Sequence, residues 1–375
     1  MRTPDYPKGT LADLLPGCLT ALGLPGLADP LGLAGQLEGV RRVVVLVVDG
    51  MGWHNLPTLA PVAPGLATLP ARQITCGFPS TTPTSLVSLA TGVAPGAHGV
   101  LAFTTVVPGT DRILNHTMWT DDPVPHEWQP IPPLYVAAAQ HGIAVTVVNR
   151  PEYVGSGLTE VTTRGAVYRP ASDLEELAEG MLAALAESGA PSLVYGYHPS
   201  LDKAGHAFGV DSAQWREAAS DVDKLVARLI GALGPDAALV VTADHGQFNV
   251  PADRRIDIDA DPRLGFGVRH FAGEPRVRYL HAEPGATEDV LAAWRDLAGH
   301  AAWIGSREEA IATGWYGPVN PAFAARLGDV VVVCQDDWAV LGSVRERESI
   351  FKLVAMHGAL TEAEMDIPLV VIRGD

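Results

Sequence analysis

Cysteine is scarce in this chain. Cys18, Cys76 and Cys334 are an odd, scattered set with no CxxC spacing. That excludes a disulfide framework and a cysteine zinc site, and it fits a reducing compartment. Also missing is an apolar run of roughly 18 residues, the length needed to span a bilayer. The first seven residues, Met1 to Pro7, are polar and proline-bearing, without the apolar stretch of a secretory signal. The expectation is a soluble, cytoplasmic protein with no membrane partner. Basic residues are outnumbered, 26 against 43 acidic ones, for a net charge of -17. Such a surface repels polyanions at long range, which argues against a nucleic-acid polymer as partner. A small phosphate ester remains compatible, given a locally positive, metal-lined pocket.

What is present is a chain of 375 residues, 47% apolar, long enough to bury a sizeable core. Short apolar runs alternate with helical patterns, the signature of an α/β fold with a mostly parallel sheet. Val43–Val48 is an uninterrupted run that reads as a strand buried on both faces. Similar runs are Ala144–Val148, Ser192–Tyr197, Ala238–Thr242, Val330–Val333 and Pro368–Ile372. Ser172-Asp173-Leu174-Glu175 reads as a capping box opening a helix to about Glu187. Further helices are expected over Ala213–Leu233 and Glu288–Ala298, with Ser306–Glu309 capping a short one. Two insertions are expected in a single domain spanning 1–375. One is a hairpin at about 103–130, turning at Gly109-Thr110; the other is a cap subdomain at about 248–321.

Four short motifs combine ligand-type side chains with glycines. Asp49 ends the first apolar run in Val48-Asp49-Gly50, where ligands gather in parallel α/β sheets. The same residue alone would equally serve as a helix N-cap. Asp202-Lys203-Ala204-Gly205-His206 sets a carboxylate and an imidazole four positions apart, on one face of a helical turn. Asp244-His245-Gly246 directly follows a buried run, where charged groups need partners and packing gives them none. Met356-His357-Gly358 offers a histidine that in isolation would be structural. Together these motifs supply three Asp and three His, enough to hold two divalent cations, zinc being favoured by the imidazoles. A nucleophile is expected from Ser80-Thr81-Thr82-Pro83-Thr84-Ser85, at the entrance of a helix that ends near Gly92. Free backbone N–H groups there suit a phosphate oxyanion. Helix capping is the other use of such hydroxyls.

In order, VVDGMG, TPTSLVSLATGVAPGAHGV, DKAGH, TADHG and MHG resemble the alkaline phosphatase superfamily, and within it the type I phosphodiesterase/nucleotide pyrophosphatase branch. The resemblance spans residues 43–372 and implies an alkaline-phosphatase-like sandwich. It implies that Asp202, His206 and His357 hold one zinc and that Asp49, Asp244 and His245 hold the other. The family's threonine lies ten residues ahead of the glycine in the Thr-Gly pair, which gives Thr82 as nucleophile, with Thr81 the alternative. A phosphate-binding asparagine is carried over to Asn115, whereas His98 is assigned a structural place. The chain departs from the family pattern at Pro83 and at Thr84-Ser85, which bear on leaving-group preference.

The implied reaction is hydrolysis of a phosphodiester or pyrophosphate bond in a small nucleotide-like molecule, through a phospho-threonine. The rivals on the same metal core are a phosphonate hydrolase of phosphonoacetate type and a phosphomonoesterase. A non-catalytic metal-binding protein is the rival from another class. Threonine in place of serine disfavours a cofactor-independent phosphoglycerate mutase, and Cys76-Gly77-Phe78 lacks the sulfatase element.

Overall fold

The computed structural model describes every residue except Pro7, Ser188 and Ala190. A seven-stranded sheet forms the body. Its order is Ala71–Thr75, Asp366–Arg373, Ala237–Thr242, Arg42–Val48, Ser192–His198, Ala144–Asn149 and Val167–Pro170. The last five of these run parallel, and Asp366–Arg373 is antiparallel to its two neighbours. The central strands are buried along their whole length, which is why they read as continuous Val/Leu runs rather than alternating ones. The helices Leu174–Glu187 and Ala213–Gly231 bury Leu177, Met181, Val222, Leu225 and Leu229 at helical spacing.

Two local expectations shift. The capping box is displaced by one residue. Asp173 Oδ1 accepts the N–H of Glu176 at 2.8 Å, and Glu176 reaches back to the Ser172 N–H at 2.6 Å. Glu175 instead points outward to Arg228. The apolar run Val330–Cys334 leaves the central sheet altogether. It lies in a second, antiparallel sheet ordered Val268–Glu274, Val277–Ala282, Val330–Cys334 and Ala302–Ser306. This sheet has its own core around Phe271, Leu280, Trp294 and Val332. Hydrophobic content alone does not say which of two sheets a strand joins, because both bury it completely.

A short hairpin, Thr104–Val106 with Ile113–Asn115, packs onto the second sheet. Thr104 donates its hydroxyl to the Gly273 carbonyl at 2.7 Å, and Phe103 donates its N–H to Glu274 at 3.0 Å. Hairpin and second sheet therefore meet at one end of the body, the end where the parallel strands finish.

Candidate metal centre

Three adjacent parallel strands deliver most of the centre. Arg42–Val48 lies between Ala237–Thr242 and Ser192–His198, with Val47 level with Thr242 and Val48 level with His198. Their carboxyl ends therefore stand side by side. Asp49 leaves the middle strand through Gly50, whose φ of +74° suits glycine. Asp244 and His245 follow the strand on one side. On the other side, the helix Ser200–Phe208 carries Asp202 and His206 on one face. His357 arrives from a distant part of the chain, held by the pairing of Ala355–Met356 with Phe248–Asn249. The helix Thr82–Thr91 begins at this point, so Thr82 is its first residue.

The side chains converge. Nε2 of His206 is 3.2 Å from Asp202 Oδ2 and 3.2 Å from His357 Nε2. His245 Nε2 is 3.4 Å from Asp49 Oδ1 and 3.5 Å from Asp244 Oδ2. The Thr82 hydroxyl is 3.1 Å from His245 Nε2 and 3.5 Å from Asp49 Oδ1. The His245 and His357 rings stack at 3.6 Å, which sets the two groups edge to edge. All six residues expected from the motifs are brought together beside Thr82. His245 stands within reach of both groups, since it also clusters with Asp202 and His357.

This arrangement fits divalent cations. Ligands about 2.0–2.1 Å from a tetrahedral zinc lie about 3.3 Å from one another, close to the separations seen here. Each histidine spends Nδ1 on a backbone carbonyl: His206 on Ala355 at 2.8 Å, His245 on Gly246 at 3.2 Å, and His357 on Ser80 at 2.8 Å. That fixes the proton on Nδ1 and turns the Nε2 lone pairs inward, as metal-binding imidazoles require. Asp202 Oδ1 and Asp244 Oδ2 are buried without any hydrogen-bond partner among the described residues. Buried charged oxygens left so are costly unless a cation meets them.

The electrostatics agree. Burial, then Asp244 and Asp202, push the Asp49 carboxyl well above its ordinary range. Burial and Asp202 raise Asp244 to about 6. Burial lowers His245 to about 4, and burial together with His245 lowers His357 to about 3. Asp202 is the exception: burial opposes its charge, but His206, His357 and His245 outweigh it and hold the carboxyl low. His206 is the counterpart: burial opposes its charge, but Asp202 outweighs it and holds the imidazole above its ordinary range. Crowded carboxylates beside imidazoles of depressed basicity, as at His245 and His357, are the pattern that bound cations resolve.

Some contributors escaped the sequence. Tyr197, at the end of the neighbouring strand, donates its hydroxyl to Asp49 Oδ2. Its place follows from the register that sets it beside Val47, which no local sequence feature marks. Gln247 packs against Gly50 and Gly205 and donates to the Leu201 carbonyl at 3.3 Å. Gly246 is needed for close approach, since a Cβ there would lie 2.1 Å from the Ala363 carbonyl. Asn115 turns its oxygen to the N–H and hydroxyl of Thr117, at 2.9 and 2.8 Å. It is Thr117 that borders the cavity over the centre. His98 is buried away from the cations' place, between the Ser88 hydroxyl and the Val100 N–H. A third group joins the exposed His54 and Glu362 to the buried Asp366, with which Arg2 already pairs at 2.7 Å.

With this geometry in place, comparison with known proteins is decisive. The sequence matches the type I phosphodiesterase / nucleotide pyrophosphatase family over residues 43–360. The chain belongs to that family. A relative in Schizosaccharomyces pombe, an uncharacterized pyrophosphatase/phosphodiesterase, is 26% identical over 237 residues. That match covers 58% of this chain, which spans about half of the relative's length (47%). Murine ectonucleotide pyrophosphatase / phosphodiesterase 5 superimposes with a TM-score of 0.67 at 21% identity, over 89% of this chain and 88% of its own. Its inactive threonine-to-alanine variant, in complex with AMP, gives 0.68 with the same identity and coverage. Phosphonoacetate hydrolase from Sinorhizobium meliloti, in complex with phosphonoformate, also gives 0.68, at 19% identity over 89% and 91% of the two chains. These likenesses establish an alkaline-phosphatase-like fold. No helix among the described residues is long and apolar enough to cross a membrane.

Proposed function

We propose that this protein hydrolyses a phosphodiester or pyrophosphate bond in a small nucleotide-like molecule, with two divalent cations, zinc by preference, and Thr82 as nucleophile. The observation that carries this is the set of three imidazoles locked with Nε2 inward against three carboxylates and the Thr82 hydroxyl. Asp202, His206 and His357 would hold one cation; Asp49, Asp244 and His245 would hold the other. When bound, the cations would acidify the Thr82 hydroxyl and neutralise charge on the entering and leaving oxygens.

The chain's own residues do the rest. Thr82, half-buried at the first position of its helix, presents its oxygen to the cavity. That oxygen attacks phosphorus, and the bond from phosphorus to the leaving oxygen breaks, giving a phospho-threonine. Water then attacks phosphorus from the vacated side and releases Thr82 as the hydroxyl. Tyr197 keeps Asp49 aimed through both steps. The cavity over the centre, about 430 Å³, is bordered by Phe103, Pro199, Ile350 and Leu353, with Lys203 its one Lys or Arg. A single lysine gives little grip on a second anionic group, which favours a diester over a phosphonocarboxylate. The threonine change that inactivates the murine relative, and the AMP bound to it, support the same assignment.

The test is a panel of p-nitrophenyl phosphate, bis(p-nitrophenyl) phosphate, dinucleotides and phosphonoacetate, run with the zinc-loaded protein. Preferential turnover of the diesters is expected, and Thr82→Ala should abolish it while leaving zinc binding intact. Full activity of that variant would place the nucleophile elsewhere, and turnover of phosphonoacetate alone would replace the diester reading.

A further inference from the structure

Thr81 is the N-cap residue of the Thr82–Thr91 helix, yet its hydroxyl makes no capping bond. Thr81 is 1% exposed, and its Oγ1 has no hydrogen-bond partner among the described residues. A buried cap threonine ordinarily spends its hydroxyl on the helix N–H groups. Opposite it, the last residue of the Val268–Glu274 strand brings a carboxyl to the same cavity. Glu274 is 4% exposed; its Oε2 accepts the Phe103 N–H at 3.0 Å, and its Oε1 has no partner among the described residues. Thr81 stands near enough to favour the charged form of Glu274, pulling its carboxyl down against the effect of burial, but their contact falls short of a well-formed hydrogen bond. Thr81 and Glu274, each with a buried unpartnered oxygen, thus line one cavity together with Thr82. Native structures rarely leave such groups unmatched, and a ligand is a common reason.

We infer that Thr81 and Glu274 are substrate-contacting residues that donate hydrogen bonds to a non-bridging phosphoryl oxygen, on the side of the substrate that the cations leave open. This rests on the phosphoryl-transfer reading above and adds a pair of protein donors to it. Glu274 is suited to donate. Burial raises its carboxyl to about 8, against the opposing pull of the Phe103 N–H, Thr81 and Arg278, so the proton is retained at neutral pH. Room is kept for it by Gly358, where a Cβ would meet Glu274 Cγ at 2.8 Å. The strand of the second sheet supplies one donor and the helix entrance the other. The pair therefore forms only when the second sheet and the hairpin are seated on the body.

The test uses the zinc-loaded protein and bis(p-nitrophenyl) phosphate. Glu274→Leu and Thr81→Val should each lower kcat by roughly 10²-fold, the usual cost of losing one oxyanion donor, with little change in KM. Glu274→Gln keeps a donor of similar shape and should restore kcat to within about 5-fold of wild type. Orthovanadate binding to the same proteins, followed by calorimetry, should weaken in the same order. Unchanged kcat in Glu274→Leu overturns the inference, as does equal damage from Glu274→Gln, which would mean that charge or packing is at work. Should Glu274→Leu not fold, Thr81→Val decides alone, and an unchanged kcat there overturns the inference. If the wild-type protein turns over no phosphate ester, the phosphoryl-transfer reading has failed. If it does and these variants match it, only the donor pair has failed.

Discussion

Replacing Asp244 by Asn should stabilise the metal-free protein and weaken the metal-loaded one. Asp49, Asp202 and Asp244 share one buried centre, and Asp244 Oδ2 has no hydrogen-bond partner among the described residues. Its pKa rises from 3.8 to about 6, chiefly through burial and then Asp202. A raised carboxyl favours folding at low pH and loses that advantage as pH climbs from about 4 through about 6. At pH 7.5 holding this carboxyl ionised in the fold costs about 3 kcal/mol. For a chain of 375 residues the unfolding entropy is about 0.8 kcal/mol/K, so the cost appears as about 4 °C. Asn retains an oxygen for the Gly50 and His245 N–H groups that Asp244 now serves. Metal-free Asp244→Asn should therefore melt about 4 °C above metal-free wild type at pH 7.5 and level with it near pH 4. Zinc reverses the order. Two cations at a hundredfold excess over Kd add about 5 kcal/mol, or about 7 °C, to the wild type. The variant should gain half of that or less. Scanning fluorimetry with and without chelator reads all four states. A metal-free variant that melts below wild type, or an undiminished zinc shift, would refute the reasoning.

Three other changes probe the supports of the centre. Tyr197→Phe removes the hydroxyl that aims Asp49 and should weaken zinc binding roughly 10- to 100-fold, read by competition with a chromophoric chelator. Gly246→Ala drives a methyl group into the Ala363 carbonyl and should displace His245, lowering both the melting temperature and the zinc shift. The pair Arg276–Glu364, fully buried at 2.8 Å, joins the second sheet to the body. Burial opposes the Glu364 charge, but Arg276 outweighs it and holds the carboxyl below its ordinary range. Its contribution is thus complete above about pH 4.5 and is lost as pH falls through the lowered value. Glu364→Gln should cost about 3–5 kcal/mol at neutral pH and flatten the acid limb of a stability–pH curve.

The parallel core was legible in the chain because strands buried on both faces must be apolar throughout, as Arg42–Val48 and Ala237–Thr242 are. Asp49, Asp244 and His245 stood out as ligand candidates because carboxylates and imidazoles at the ends of such runs have no packing reason to be there, whereas His357 stood out only through the ordered set of motifs. Helical spacing alone set Asp202 and His206 on one face. Val330–Cys334 was legible as a strand but not as a member of the second sheet, because its composition serves either. The order of the strands, the stacking of His245 on His357, and the inward turn of every Nε2 came only from tertiary structure, since each depends on residues far apart in sequence. The same holds for Tyr197, Thr81 and Glu274. Nothing local marks a strand tyrosine, a cap threonine or a strand glutamate as part of a site. They become so when distant segments leave one oxygen paired and another free. Sequence patterns report what a segment needs to bury, whereas a site is made by which segments meet.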